Sequence, residues 1–406
     1  MATPRLRPRA PARRDLLRTG LYGVGLGAVG VPALFSRKVA LGAEAASRPI
    51  LVVVELSGAN DGLNTVVPYT DDAYYRARPS LGIRPEKLRK IDDRFGFQGT
   101  MAGFERLYKD GRLAIVHGVG YDQPSFSHFT SMAYWHTGAP NSGETYGWLG
   151  RLADSLGNAD YLVNIDSHQS LAVSARNHVP LVFDDPEKFS RGGVAEEKAA
   201  LTKLIGRDGG RNPAETFIFG VAHSAQNAEA HVREACANYR TPVDYGLVRF
   251  GLERVAALIA ADFPTKIYYV ALRNNVFDTH VYQADVHARL WTYTSDHIAA
   301  FVKDIERAGR GDDVAVMVFS EFGRRVAENT SLGTDHGTAG PVFVIGKVVK
   351  GGHYGEVPSL TDLDDGNLRY TTDFRRVYAT LIKDWMGYPN VGSVLRQEFQ
   401  TIAMFA

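Results

Sequence analysis

The chain predicts an α/β fold: a mostly parallel central sheet with helices on both faces and a middle insertion or cap. Three observations carry that prediction. The run "PILVVVELSGANDG" is continuously apolar until a Gly-Asn-Asp-Gly loop, the pattern of a strand buried on both faces. The stretch "GFERLYKDGRLAIVHGVGY" then gives a helix, a Lys-Asp-Gly turn and a second buried strand, which reads as one β-α-β unit. Strand-like and helix-like segments alternate along most of the remaining chain, the order expected of a parallel sheet covered on both sides.

Further strands are predicted at "TFIFGVA", "KIYYVAL", "DVAVMVFS" and "GPVFVIG", and helices at Val243–Ala261, Asp285–Ala308 and Thr372–Met386. The middle, about residues 157–235, is polar and broken by "RNHVPLVFDDPEKFSRGG" and "IGRDGGRNPAE", and is expected to form the insertion. With 406 residues and 45% hydrophobic residues the chain is long enough for a sizeable core. The single Cys236 excludes an internal disulfide and a thiolate-rich metal site, so any metal ligands must be carboxylates and imidazoles.

The first 45 residues differ from the rest. Six arginines precede the apolar run Leu21–Phe35, and small residues with an Ala43-Glu44-Ala45 sequence follow it. This order of basic, apolar and small-residue regions reads as an export signal over 1–45, and Arg13-Arg14 before "DLLR" is similar to the twin-arginine consensus. A periplasmic or secreted protein is therefore expected, exported as a folded domain of residues 46–406 by the twin-arginine machinery. The 15-residue apolar run is short for a membrane span, so no stable span is expected after cleavage. Removing residues 1–45 takes eight basic and two acidic groups, leaving 38 basic against 43 acidic, a net charge of −5. No basic block remains to bind nucleic acid.

Ligands of such a sheet bind beyond the carboxyl ends of the strands. Polar groups of the metal-ligating kind recur there: Asn60-Asp61-Gly62 after the first strand, "QPSFSHF" with Ser127 and His128 after the second, and Asp278 and His280 after "IYYVALRNN". Glu321 and Arg324 follow "VAVMVFS", and Asp335-His336 precedes "PVFVIG". Asp61 between Asn and Gly is more often a turn residue than a ligand, and Ser127 reads equally as a helix N-cap. Together these types suit hydrolysis of phosphate or sulfate esters. That chemistry uses one or two divalent cations, zinc, manganese, calcium or magnesium, and a hydroxyl nucleophile at a helix N-terminus.

With "GANDGLNTVVPY", "SFSHFTSMAYWHTG", "FDTHVYQ", "VFSEFGRR", "GTDHGTAGPVFVIG" and "TTDFRRVYATLIKDWMG" in order, the chain resembles domain-of-unknown-function family 1501. That family is commonly twin-arginine-exported and resembles the alkaline phosphatase and sulfatase superfamily. The resemblance implies an alkaline phosphatase-like fold, Ser127 as nucleophile, Asp61 on the metal beside it, and Asp278 with His280 on a second metal. Two registers compete further on. Either Asp335-His336 is the superfamily's adjacent Asp-His pair, or Ser320-Glu321 takes that place and His336 matches the later lone histidine. The second is preferred because Glu321 directly follows a strand; Asp335 is then a ligand or the partner of one. His128, His136 and His353 could supplement the set.

The departures matter as well. The Asp278/His280 spacing is narrower than in alkaline phosphatases, and no C/S-x-P-x-R motif is present, which argues against a formylglycine sulfatase. The resulting expectation is an exported, metal-dependent ester hydrolase in which Ser127 attacks, Asp61 and Glu321 flank one metal, and Asp278, His280 and His336 hold the other. Arg324 grips the anionic oxygens of a small-molecule or glycan ester. The rival expectations are a non-catalytic exported binding or assembly protein on the same fold, and a glycan-binding protein with an exposed aromatic groove.

Overall fold

A computed structural model describes residues 49–156, 161–177, 179–189 and 228–405. Nine strands form its main sheet: β1 (Ile50–Leu56), β2 (Leu113–Gly120), β3 (Tyr161–Ile165), β4 (Leu181–Phe183), β5 (Thr265–Leu272), β6 (Val314–Phe319), β7 (Gly340–Ile345), β8 (Gly352–Tyr354) and β9 (Thr372–Asp373). Their order is β8-β2-β7-β6-β1-β5-β3-β4, with β9 also paired to β2. Every pairing is parallel except those of β7 with β2 and with β6. One reversed strand in a parallel sheet has a functional consequence: the segment before β7 lies at the same edge as the segments after β1, β2, β5 and β6.

Strand β1 is buried along its whole length. Ile50, Val52, Val54 and Leu56 join one core and Leu51 and Val53 the other, as period-two side chains of a central strand must. The first core is roofed by α2 (Ala102–Lys109), α5 (Leu252–Ala260) and α6 (Gln283–Arg307), which supply Phe104, Val255, Trp291 and Phe301. The second is roofed by α3 (His128–Thr137), α4 (Trp148–Leu156) and α7 (Phe374–Thr380), which supply Trp135, Trp148 and Tyr378. A short α1 (Asp72–Ala77) packs outside the sheet, near the loop after β1. The expected mostly parallel sheet with helices on both faces is thus present.

Several expected details differ. β1 and β2 are parallel but not neighbours, because β6 and β7 lie between them. The helix expected from Val243 begins only at Leu252, since Gly246 and Gly251 take left-handed backbone angles (φ 80° and 105°) that stop a helix from extending through them. At Thr372 the chain first adds strand β9 to β2, and Asp373 then caps α7 by accepting from Arg375 N. Residues 161–165 and 181–183, expected in an insertion, belong to the sheet itself. The "TFIFGVA" strand and residues 1–48, with the expected signal, lie outside the described residues.

Candidate metal centre

Five segments meet at the carboxyl edge of the sheet. After β1 the chain turns through Gly58 (φ 111°) and Ala59 (φ 64°), and a side chain on Gly58 would stand 2.6 Å from Asp278 N. Glycine there lets the β5 loop approach. The two successive amides aim at one carboxylate: Gly58 N donates to Glu321 Oε1 (2.8 Å) and Ala59 N to Oε2 (3.1 Å), an anion nest made of backbone. Ser320 Oγ (2.9 Å) and His128 Nδ1 (2.7 Å) complete the shell of the fully buried Glu321.

Three imidazoles face Asp278, and each is held by its Nδ1. His128, the first residue of α3, uses Nδ1 on Glu321. His336 Nδ1 lies 2.9 Å from the Phe126 carbonyl, which can only accept. His280 Nδ1 lies 3.3 Å from Asp335 Oδ1; Asn329 Nδ2 also donates to that oxygen and, with the histidine, holds the Asp335 pKa below its ordinary value. In each case Nδ1 carries the proton, so all three Nε2 atoms present lone pairs; that of His280 is met by Arg324 Nη1 at 3.3 Å, and those of His128 and His336 meet no donor.

Those lone pairs converge. His336 Nε2 is 2.9 Å from His280 Nε2 and 3.2 Å from Asp278 Oδ1, His280 Nε2 is 3.0 Å from the same oxygen, and His128 Nε2 is 3.3 Å from Asp278 Oδ2. Ligand atoms of His128, Asp278 and His336 all lie within 4.8 Å of one another, the one such group among the described residues. His128 Nε2 is buried without a hydrogen-bond donor. Clustered acceptors repel unless a positive charge stands among them, so the donor set fits a divalent cation of the zinc or manganese type. The surroundings agree: the hydrogen bond to Glu321 raises the His128 pKa against the effect of burial, with the Glu321 and Asp278 charges adding. Burial alone would raise the Asp278 pKa, but the Arg324 hydrogen bond and charge overcome it and keep this acid ionised.

Not every expected site residue joins the cluster. Asp61 is enclosed: Oδ2 takes Arg78 Nη1 at 2.6 Å and Gln283 Nε2 at 2.5 Å, and Oδ1 caps the following turn through Leu63 N and Asn64 N. No face of this carboxylate is left for a metal. Glu321 is saturated as described and acts by orienting His128. The separate subsite expected from Asp61 and Glu321 is therefore not formed by these side chains. Arg324 does not face a substrate. Its buried guanidinium donates to Ala59 O, Thr334 O, Gly58 O, Phe277 O and Asp278 Oδ1, with Nη1 also 3.3 Å from His280 Nε2, tying three loops at the centre together.

Asp335 is exposed and acts on His280. His136 pairs with Glu55 and Tyr269, and His353 with His117 and Asp92, both away from the cluster. Ser127 is exposed and caps α3 through a long 3.5 Å contact from Thr130 N. It stands between Phe126 and His128, both of which touch the centre's histidines or acids. Phe126 and Phe129 beside it are also exposed, 44% and 87%. Trp135, Trp148 and Trp291 are buried in the cores.

Among solved structures the chain is similar to a protein in the alkaline phosphatase superfamily from Vibrio parahaemolyticus (12% identity, TM-score 0.39, covering 87% of this chain and 71% of that one). It is also similar to the C-terminal periplasmic domain of EcEptC from Escherichia coli, solved with zinc (11%, TM-score 0.34, 75% and 74%). A third is the lipoteichoic acid synthase LtaP from Listeria monocytogenes (11%, TM-score 0.36, 81% and 76%). No curated protein matches. Residues 48–384 match the family described as protein of unknown function, DUF1501, and the chain belongs to that family.

Proposed function

We propose that the protein is an exported, cation-dependent hydrolase of phosphate or sulfate esters with Ser127 as nucleophile. The observation that carries this reading is the convergence of two bare imidazole nitrogens, of His128 and His336, and the ionised Asp278 carboxylate beside an exposed serine at a helix N-terminus. His128, Asp278 and His336 would hold the cation, with His280 beside them. A bound divalent cation supplies Lewis-acid polarisation of the ester oxygens and loosens the proton of a neighbouring hydroxyl.

The protein's own groups do the rest. The first free amides of α3 and its dipole favour an anion next to Ser127. In-line attack by Ser127 Oγ forms a seryl ester and breaks the bond to the leaving alcohol, which takes up the proton. Water then cleaves the seryl ester and restores the hydroxyl. Glu321, Asp335 and the Phe126 carbonyl keep the three imidazoles in the ligating tautomer throughout.

One observation favours a second reading, a non-catalytic cation-binding or assembly protein: the Arg324 guanidinium is committed to the loops and is not available to grip an ester. Elemental analysis of the folded, signal-free protein separates the readings first. Near-stoichiometric zinc or manganese that falls in His280→Ala and His336→Ala supports the centre. Hydrolysis of phosphate or sulfate esters that Ser127→Ala abolishes, with metal retained, then supports the enzyme. Metal without hydrolysis leaves the binding protein, and no metal under replete conditions sinks both. The location rests on Arg13 and Arg14; the double substitution Arg13→Lys with Arg14→Lys should hold the protein in the cytoplasm on cell fractionation.

A further inference from the structure

Water-facing apolar side chains gather on the loops of the cation centre. Eleven large ones are exposed among the described residues, and seven of these stand in residues 126–129, in 276–286 and at 332. The first two segments carry Ser127, His128, Asp278 and His280, and the third position lies three residues before Asp335. Scattered singly, such residues need no explanation; gathered at one place they mark a surface that something apolar covers.

Two of them are held there against the preference of the backbone. Tyr282 has φ 46° and is 71% exposed, and Leu332 has φ 59° and is 39% exposed. Bulky residues rarely enter the left-handed region, and such strain persists only where the surroundings enforce it, most often at functional sites. Here the enforcement is visible: Tyr282 N donates to Ser331 O (3.0 Å) and Gln283 N to Leu332 O (2.8 Å), and a side chain on Gly333 would stand 2.2 Å from His280 O. The two loops are locked together beside His280 while both apolar side chains remain in water.

The collar has two sides. The His336 ring lies between those of His128 (4.5 Å) and His280 (4.7 Å). Phe126, Ser127 and Phe129 adjoin His128, whereas Val281, Tyr282 and Leu332 adjoin His280. An in-line displacement puts the leaving group opposite the nucleophile, so an alcohol expelled by Ser127 departs on the side of Tyr282 and Leu332. The exposed acids Asp122, Asp285 and Asp335 stand among these residues with the cations Arg289 and Arg325, the latter paired with Asp365, so no basic patch faces an anionic membrane. An anionic head suits the centre, with its cation and the positive end of α3. A hydrocarbon tail suits the collar.

We infer that the substrate is a phosphate or sulfate monoester of a hydrocarbon alcohol, whose chain lies on Tyr282 and Leu332. The inference rests on the hydrolase reading and names the substrate class of that site. Isothermal titration of zinc-loaded, signal-free Ser127→Ala protein, which cannot turn the ester over, compares butyl with octyl phosphate and butyl with octyl sulfate, each below its critical micelle concentration. In at least one pair the octyl ester should bind about tenfold more tightly. Tyr282→Asn with Leu332→Gly, replacements that accept a left-handed backbone, should cut that ratio below about twofold.

Equal affinity for the two chain lengths overturns the inference and leaves the hydrolase reading in place. A tenfold ratio that survives the double substitution also overturns it, since the chain then lies elsewhere. Cosedimentation with phosphatidylglycerol vesicles in place of an octyl preference overturns it in favour of a membrane-docking face. An octyl preference in a protein whose unsubstituted form hydrolyses no ester supports the amphiphile site and sinks the hydrolase reading, and binding of none of the four esters sinks both. The chain-length ratio without the double substitution stands even where that variant does not fold.

Discussion

The protein uses histidine and aspartate in two different geometries, a convergent cluster that fits a cation and a linear row that does not. In the centre at the sheet edge, His128, His280 and His336 converge on Asp278 from three directions with their lone pairs inward. Beside β2, Asp92, His353 and His117 are strung in a line, with His353 Nε2 2.8 Å from Asp92 Oδ2 and Nδ1 2.7 Å from His117 Nε2. Nitrogen–nitrogen distances barely distinguish them, 2.9 Å against 2.7 Å. What distinguishes them is whether each contact already contains a proton. In the row the His117–His353 contact does; in the centre the Nδ1 protons point outward and the acceptors are left facing one another. Asp61 shows a third arrangement, an acid closed by Arg78 and Gln283.

The largest effect expected is on that closed acid. Asp61→Ala removes the carboxylate partner of the buried Arg78 and should cost about 3–5 kcal/mol of stability, read by urea unfolding; Asp278→Ala, at a partly exposed site whose partner Arg324 keeps four backbone carbonyls, should cost less, about 1–3 kcal/mol without cation. Equal costs would erase the distinction between closed and open carboxylates. Next, His336→Ala should weaken zinc affinity at least about 100-fold, while His117→Phe changes it less than about twofold, by competition with a chromophoric chelator. Glu321→Gln, which weakens the hold on His128, should fall between them at about 10–100-fold.

Acid unfolding sharpens the contrast through its sign. The folded pKa of His117 lies below the ordinary 6.5, so the unfolded chain binds the extra proton and stability falls as pH drops below about 6.5. For Asp61, burial alone would raise the pKa, but Arg78 lowers it below 3.8, so its contribution is kept above that value and lost only at lower pH. His117→Phe should flatten the stability–pH slope between pH 4 and 6 by up to about 1.4 kcal/mol per pH unit, and leave the acid limb in place. The smallest effect expected is that of Ser127→Ala on stability, below about 1 kcal/mol, because its capping contact is long.

Much of this is legible from residue patterns. "ILVVVEL" and "LAIVHGVG" are fully buried strands because an uninterrupted apolar run can satisfy two cores at once. Of the loops after them, the second carries His128, whereas the first contributes only the Gly58 and Ala59 amides that hold Glu321. The reversal of β7 is not legible, since strand direction leaves no mark on composition, yet it brings His336 beside Asp278. His128 reads only as a supplement because a histidine after a capping serine looks like any first-turn residue. Asp61 and Arg324 choose partners that spacing does not reveal: Arg78 from a neighbouring helix end, and carbonyls from three separate loops.

The Arg324 guanidinium has one more implication. Because it rivets the loops that carry Asp278, His280 and His336 from beneath, the shape of the centre is stored in the polypeptide and not borrowed from a cation. On the proposed reading, such a cup would be emptied by a chelator and refilled without refolding, and the far-ultraviolet circular dichroism should stay the same on stripping. It would scavenge metal as a preformed vessel, on the timescale of diffusion and ligand exchange.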